Sequence, residues 1–297
     1  MPLRHIDIPS LGRSLSSVMA HPSSAEPDSH DQGLDAYRKL GGNCLHLHGE
    51  GDEQHSRRAA GDWLRWHRLR PEYFLCTQIC HAGWDAAAGR PIDRFTPEAV
   101  ASDIAADLEL LGTDYLDLVY LDDNPQARLG PVMAAIGREI EHGRVRAFGV
   151  RNFTAERIHC AARHTPIAAV ITTELALPTP IRPLWPEYVP FDAALEQVIV
   201  ELGLAVFAHA DDFNLGQCLF DTDDPRAHGR WAHPANTLLV ERVKRFAAAN
   251  EITPRVANIA WLFNRPFPVV AIASLAGLLT DRATEFERAS DSGPSYQ

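Results

Sequence analysis

The sequence predicts an α/β protein built as a (β/α)8 barrel with an N-terminal β-hairpin. Three observations carry this. Eight short apolar runs alternate with stretches of helical periodicity, the pattern of β/α units around a parallel sheet. The chain has 297 residues, and one such barrel takes about 250. Ahead of the first run, Arg4-His5-Ile6-Asp7-Ile8-Pro9-Ser10-Leu11-Gly12 alternates and then turns like a hairpin that plugs the barrel bottom.

The strand candidates are Ser16–Ala20, Cys44–His48, Tyr73–Thr77, Leu116–Leu121, Val145–Val150, Ala169–Thr173, Ala205–Ala208 and Val269–Ile272. Helical segments fall between them: Glu53–Arg68, Pro97–Leu111, Leu129–Glu141, Ala155–Arg163, Phe191–Leu202 and Thr237–Asn250. In the second, Val100, Ile104, Leu108 and Leu111 recur at helical spacing, and Thr96-Pro97-Glu98 gives its start, where Pro costs no hydrogen bond. Trp63 and Trp66, with Leu64 and Leu69, read as a helix face packed on the barrel. Nothing resembles a linker before Ala289, so residues 1–288 form a single TIM barrel and 289–297 a polar tail. Chemistry in such barrels sits at the C-terminal strand ends.

Composition narrows the function. No apolar run approaches the roughly 18 residues of a membrane span, and Arg4, His5, Asp7 and Ser10 interrupt any signal-peptide core, so a cytoplasmic protein is expected. A net charge of −11 argues against nucleic acid, whose binding needs clustered Lys and Arg. The expected partner is a small molecule. Five cysteines without a framework spacing read as reduced; Cys76-x3-Cys80-His81 has no second ligand pair for zinc.

Several segments, in order and spacing, resemble the aldo-keto reductase family over nearly the whole chain. They are Gly41-Gly42-Asn43, Ser56 through Gly61-Asp62-Trp63-Leu64, Gly143 with Val145 through Phe153, and Ala257-Asn258-Ile259-Ala260-Trp261-Leu262. The most specific is Leu111-Gly112-Thr113-Asp114-Tyr115-Leu116-Asp117-Leu118. The resemblance implies NADPH-dependent carbonyl reduction by an Asp, Tyr, Lys, His tetrad, with Tyr as proton donor. Carried over, the Asp falls on His46, the Tyr on Gly51, the Lys on Gln78 and the His on Asp122. The chain's only lysines, Lys39 and Lys244, lie in helical stretches. A phenol has a reference pKa near 10 and needs a neighbouring cation to act near neutrality, so the family's relay is not expected to operate.

Cofactor positions depart as well. Asn152 keeps the family's amide contact to the nicotinamide, but its neighbour is Arg151 in place of Ser. The family's Gln after strand six falls on Thr172 and its stacking ring after strand seven on His209. Ala210-Asp211-Asp212 replaces Ser-Pro-Leu beside the pyrophosphate, where each carboxylate–phosphate pair at about 5 Å repels by roughly 1 to 3 kcal/mol. The stretch Ile272 to Leu278 lacks the side chains that grip the 2′-phosphate. The expectation is a barrel without a cofactor.

What remains at the mouth is a set of ionisable groups. His46, His48, Glu50, Asp122 and His209 are the candidate catalytic residues; Gln78, Asn152, Glu174, Trp185, Tyr188 and Asp211 are the candidate substrate contacts. Carboxylates beside imidazoles bring pKa values toward neutrality, so His46 and Asp122, at one depth, suit general acid/base chemistry. The leading expectation is therefore cofactor-independent elimination, isomerisation or cyclisation of a carbonyl- or hydroxyl-bearing molecule. Three alternatives stay open: a catalytically silent barrel that binds a ligand or partner, an NADPH-dependent carbonyl reductase with a substituted proton donor such as His46, and a metal held by His46-x-His48.

Overall fold

The computed structural model describes residues 3–22, 30–47, 53–81, 83–85, 90–172, 189, 191–209 and 234–275. The chain opens with a hairpin of β1 (His5–Ile8) and β2 (Arg13–Ser16), turned by the short 3-10 segment Pro9–Leu11. After it come β3 (Val18–His21), α1 (His30–Lys39), β4 (Cys44–Leu47), α2 (Glu53–Trp66) and β5 (Phe74–Gln78). A small antiparallel pair, β6 (Gly83–Asp85) and β7 (Arg90–Ile92), precedes α3 (Pro97–Leu111), β8 (Leu116–Asp122), α4 (Leu129–Glu141) and β9 (Val145–Arg151). The chain continues through α5 (Ala155–Ala162), β10 (Ala169–Thr172), α6 (Ala193–Leu202), β11 (Ala205–His209), α7 (Pro234–Ala249), α8 (Pro254–Phe263) and β12 (Val269–Ser274).

Eight parallel strands close in the order β10-β11-β12-β3-β4-β5-β8-β9. The fold is thus the expected (β/α)8 barrel with its N-terminal hairpin, and all eight strand candidates lie in it. Ser16 is a correction: it ends the hairpin, pairing with His5, and the first barrel strand begins only at Val18.

The strands are apolar on both faces because both are buried. Met19, Cys44, Cys76, Leu118, Phe207 and Ile272 fill the barrel interior, while Leu45, Leu75, Val119, Val150 and Val206 pack outward beneath the helices. Local signals set the helix ends. Thr96 caps α3 by accepting from the Ala99 amide, with Pro97 in the first turn, and Gly112 closes the helix at φ +59°, a left-handed conformation open to glycine. Trp63 is buried as expected, but Trp66 is 85% exposed, since it sits at the last turn of α2 on the solvent side.

The hairpin is held beneath the barrel by charge. Asp117, buried at the start of β8, accepts from Arg13 of β2 at 3.2 Å and from the Leu75 amide at 3.0 Å. Arg70 lies 2.9 Å and Arg146 3.4 Å from the same carboxylate. Their guanidinium groups also cover the Tyr115 ring, at 3.8 and 3.6 Å from its centroid.

Candidate active site at the barrel mouth

Successive side chains alternate between strand faces, so the last inward position of each strand meets the mouth. By that alternation His21, His46, Gln78, Asp122, Arg151, His209 and Ser274 stand above Met19, Cys44, Cys76, Tyr120, Gly149, Phe207 and Ile272. Thr172 shares the parity of Val170, which packs outward, so it is not an inward counterpart of the family's Gln.

Two networks organise these groups. In the first, His46 is fully buried and its Nε2 lies 2.8 Å from the Tyr120 hydroxyl. His21 bonds the His46 carbonyl through Nδ1 at 2.9 Å. The His46 ring centroid is 5.5 Å from that of His21 and 5.2 Å from that of His209. Burial pushes the Tyr120 phenol well above its ordinary pKa, with the Arg151 cation pulling the other way. Burial, reinforced by Arg151, pushes His209 down to about 3, so its imidazole is neutral at physiological pH.

Asp122 centres the second. Arg151 grips its carboxylate with two N–H groups, Nε to Oδ1 and Nη2 to Oδ2, both at 2.6 Å. Gln78 Nε2 donates to Oδ2 and Asn152 Nδ2 to Oδ1, each at 2.9 Å. Asn152 holds φ at +57°, which its short amide side chain tolerates. Beside this set, Asp123 is paired with Arg157.

His46 and Asp122 therefore occupy different surroundings. One is sealed against a phenol; the other, 32% exposed, has both oxygens engaged by three side chains. Of the other expected site residues, Gln78, Asn152 and His209 lie at the mouth, whereas His48, Glu50, Glu174, Trp185, Tyr188 and Asp211 fall outside the described residues, as do Gly51 and Asp212. Among the described residues no group of three or more His, Cys, Asp or Glu side chains is arranged to hold a metal ion. Cys44, Cys76, Cys80 and Cys160 are free thiols, and no described helix is long and apolar enough to cross a membrane.

Two contributors, His21 and Tyr120, escaped the sequence reading, and Arg151 was named there only as a departure beside Asn152. Tyr120 precedes Asp122 by two positions on one strand, so period-two alternation would have placed both inward.

The residues at the mouth fit the redox end of a nicotinamide cofactor. His209 Nε2 and Gln78 Oε1 are buried polar atoms without a hydrogen-bond partner among the described residues, the complement of a carboxamide's acceptor and donors. The neutral His209 ring also presents no charge to a cationic nicotinamide.

Comparison with known proteins agrees. The aldo/keto reductase family model matches residues 50–176. A curated relative from Schizosaccharomyces pombe, the aldo-keto reductase yakc, is 24% identical over 221 residues, covering 68% of this chain. The chain spans 61% of that relative's length. The glycerol dehydrogenase AKR11B4 from Gluconobacter oxydans superposes with a TM-score of 0.69 at 15% identity, covering 97% of this chain and 94% of that one. A thermostable aldo-keto reductase, Tm1743, solved with the inhibitor epalrestat, gives 0.70 at 18% identity, over 99% and 96%. These two likenesses are of fold.

The comparison corrects one expectation. The relative's printed name carries NADP(+), which overturns the reading of a barrel without a cofactor. That reading rested largely on Asp211, Asp212 and the stretch to Leu278, and the structure describes only Ile272 to Leu275 of these. From sequence segments through family model to closed barrel, the findings point one way: residues 50–176 match the aldo/keto reductase family, and the closed barrel has the fold of solved aldo-keto reductases.

Proposed function

We propose that this chain uses NADP(H) at its barrel mouth to interconvert a carbonyl and an alcohol on a small molecule, with a His46–Tyr120 couple handling the proton. The observation that carries the reading is the buried 2.8 Å contact between His46 Nε2 and the Tyr120 hydroxyl. Asn152, Gln78 and His209 would flank the cofactor's nicotinamide end. A bound NADPH would supply the hydride for the carbonyl carbon.

The carbonyl oxygen then needs a proton. Because burial keeps Tyr120 a phenol, its hydroxyl can donate to His46 Nε2. In the relay, the His46 imidazole passes a proton toward the developing alkoxide while its Nε2 takes the phenol's proton. The Arg151 guanidinium, 5.6 Å from the Tyr120 ring centroid, offsets part of the phenolate charge that forms. In this arrangement Arg151 takes the electrostatic part that the family gives to a lysine.

NADPH titration by fluorescence and calorimetry, then carbonyl-dependent NADPH consumption over a panel of aldehydes and ketones, tests the reading. The expected result is micromolar binding, with His46→Ala and Tyr120→Phe each lowering turnover by about 10²–10⁴-fold, the usual span for a positioned acid, while binding persists. Absence of NADPH binding overturns the cofactor assignment. Binding with undiminished turnover in both variants overturns the relay.

A further inference from the structure

We propose that the Asp122–Arg151 ion pair is a charge balance at the barrel mouth that sets the relative affinity of the site for the oxidised and reduced nicotinamide cofactor. The inference rests on the NADP(H) reading above. The two cofactor forms share every group except the redox ring, which carries one positive charge when oxidised and none when reduced. A fixed charge near that ring therefore acts on their ratio of affinities and not on the binding they have in common.

The pair is built to cancel. Arg151 is locked edge-on to Asp122 by two 2.6 Å bonds, and its side chain is 12% exposed. The remaining donors to the carboxylate, Gln78 and Asn152, are uncharged amides. His209 faces the same mouth as a neutral imidazole. His81, on the turn after β5, is also neutral, held down to about 4 by burial first and then by Arg57 and Arg151. The neighbouring Asp123 has its own counter-charge in Arg157. His21, His46 and the Tyr120 phenol are the other titratable groups on the inward side of the described strand ends, and the variants below leave all three unaltered.

A redox ring working at this mouth would be within reach of the field of these side chains, since chemistry in the fold gathers at the C-terminal strand ends. Removing one partner exposes the ring to an unbalanced unit charge. A unit charge held about 6 Å from such a ring, through an effective dielectric of about 40, would change an affinity by about tenfold.

The experiment measures dissociation constants for NADP+ and NADPH by calorimetry on the full chain at one pH and salt concentration. Asp122→Asn leaves the guanidinium in excess and should raise the NADP+/NADPH ratio of dissociation constants about tenfold. Arg151→Met leaves the carboxylate in excess and should lower it by a similar factor. The double variant should return the ratio to near its starting value, as should Asp122→Glu, which keeps the charge. Circular dichroism confirms that each variant is folded; if one single variant does not fold, the other and the double variant still decide the sign. Weakening of both cofactor forms in parallel, with the ratio fixed, would mean that the pair only shapes the site, and it overturns this inference while leaving the NADP(H) reading intact. A wild-type protein that binds neither form overturns both.

Discussion

At the residue scale the mouth depends on groups whose proton affinities are set by burial. Tyr120→Phe removes the hydroxyl that faces His46 Nε2 in the interior, and a buried partner left unmatched costs about 1–3 kcal/mol. The expected result is a lower urea midpoint with an unchanged slope. Acid should weaken the fold through His81 and His209, whose folded pKa values of about 4 and about 3 lie below the unfolded value near 6.5. As pH falls below about 6.5, the unfolded chain takes up protons at both histidines and the folded chain does not, so stability is lost. Asp107 works in the opposite sense. Burial raises it to about 6, so between about pH 4 and 6 the folded state holds a proton that the unfolded state releases, and stability falls as pH rises. Asp123, also raised by burial, acts in the same sense as Asp107, and His209→Gln, which removes one of the two histidine contributions, should reduce the loss of stability on acidification in unfolding curves taken from pH 4 to 7. The candidate site residues were partly legible. His46, Gln78, Asp122, Asn152 and His209 sit at strand ends that the apolar runs located. Tyr120 was missed although it shares the face of Asp122 two positions on, and Arg151 was named only as a departure beside Asn152, because a strand buried on both faces carries no polar alternation of its own.

At the element scale, helices pack where small residues admit them. Gly61 in α2 lies against the end of α3, and a Cβ there would meet the Leu111 carbonyl oxygen at 2.5 Å, a backbone atom that cannot swing aside. Gly61→Ala should therefore destabilise by about 1–3 kcal/mol despite its better helix propensity, as overpacking does. Thr96→Ala, which removes the cap on the Ala99 amide, should cost about 1 kcal/mol. Both effects appear in thermal or urea unfolding. The reading of α3 and α4 matched their ends residue for residue, because Thr96, Pro97, Gly112 and Gly143 punctuate the chain there. The pair β6 and β7 went unread: three-residue strands carry no periodicity, and only their pairing with each other defines them. Trp66 shows the limit of residue type as a guide, since its position on the last turn of α2, not its hydrophobicity, sets its exposure.

At the scale of the whole molecule, the Asp117 clasp joins the hairpin, β5, β8 and β9 through Arg13, Leu75, Arg70 and Arg146. Asp117→Ala leaves three guanidinium groups around a vacated site and should cost about 3–5 kcal/mol, the loss expected when one partner of a buried ion pair is removed; calorimetric unfolding measures it. Barrel closure has a consequence in time. The seam joins β3 to β12, with Val18 opposite Ala271, so the first strand of the barrel waits for the last. A ribosome must release the chain through β12 before that pairing can form. Until then two strand edges stay open, each a template for another chain. Contacts so distant in sequence also slow the search for them. The newborn protein is thus exposed to aggregation for longer than its finished stability would suggest, and its yield on expression should depend on temperature and chaperone supply more than on any single side chain at the mouth.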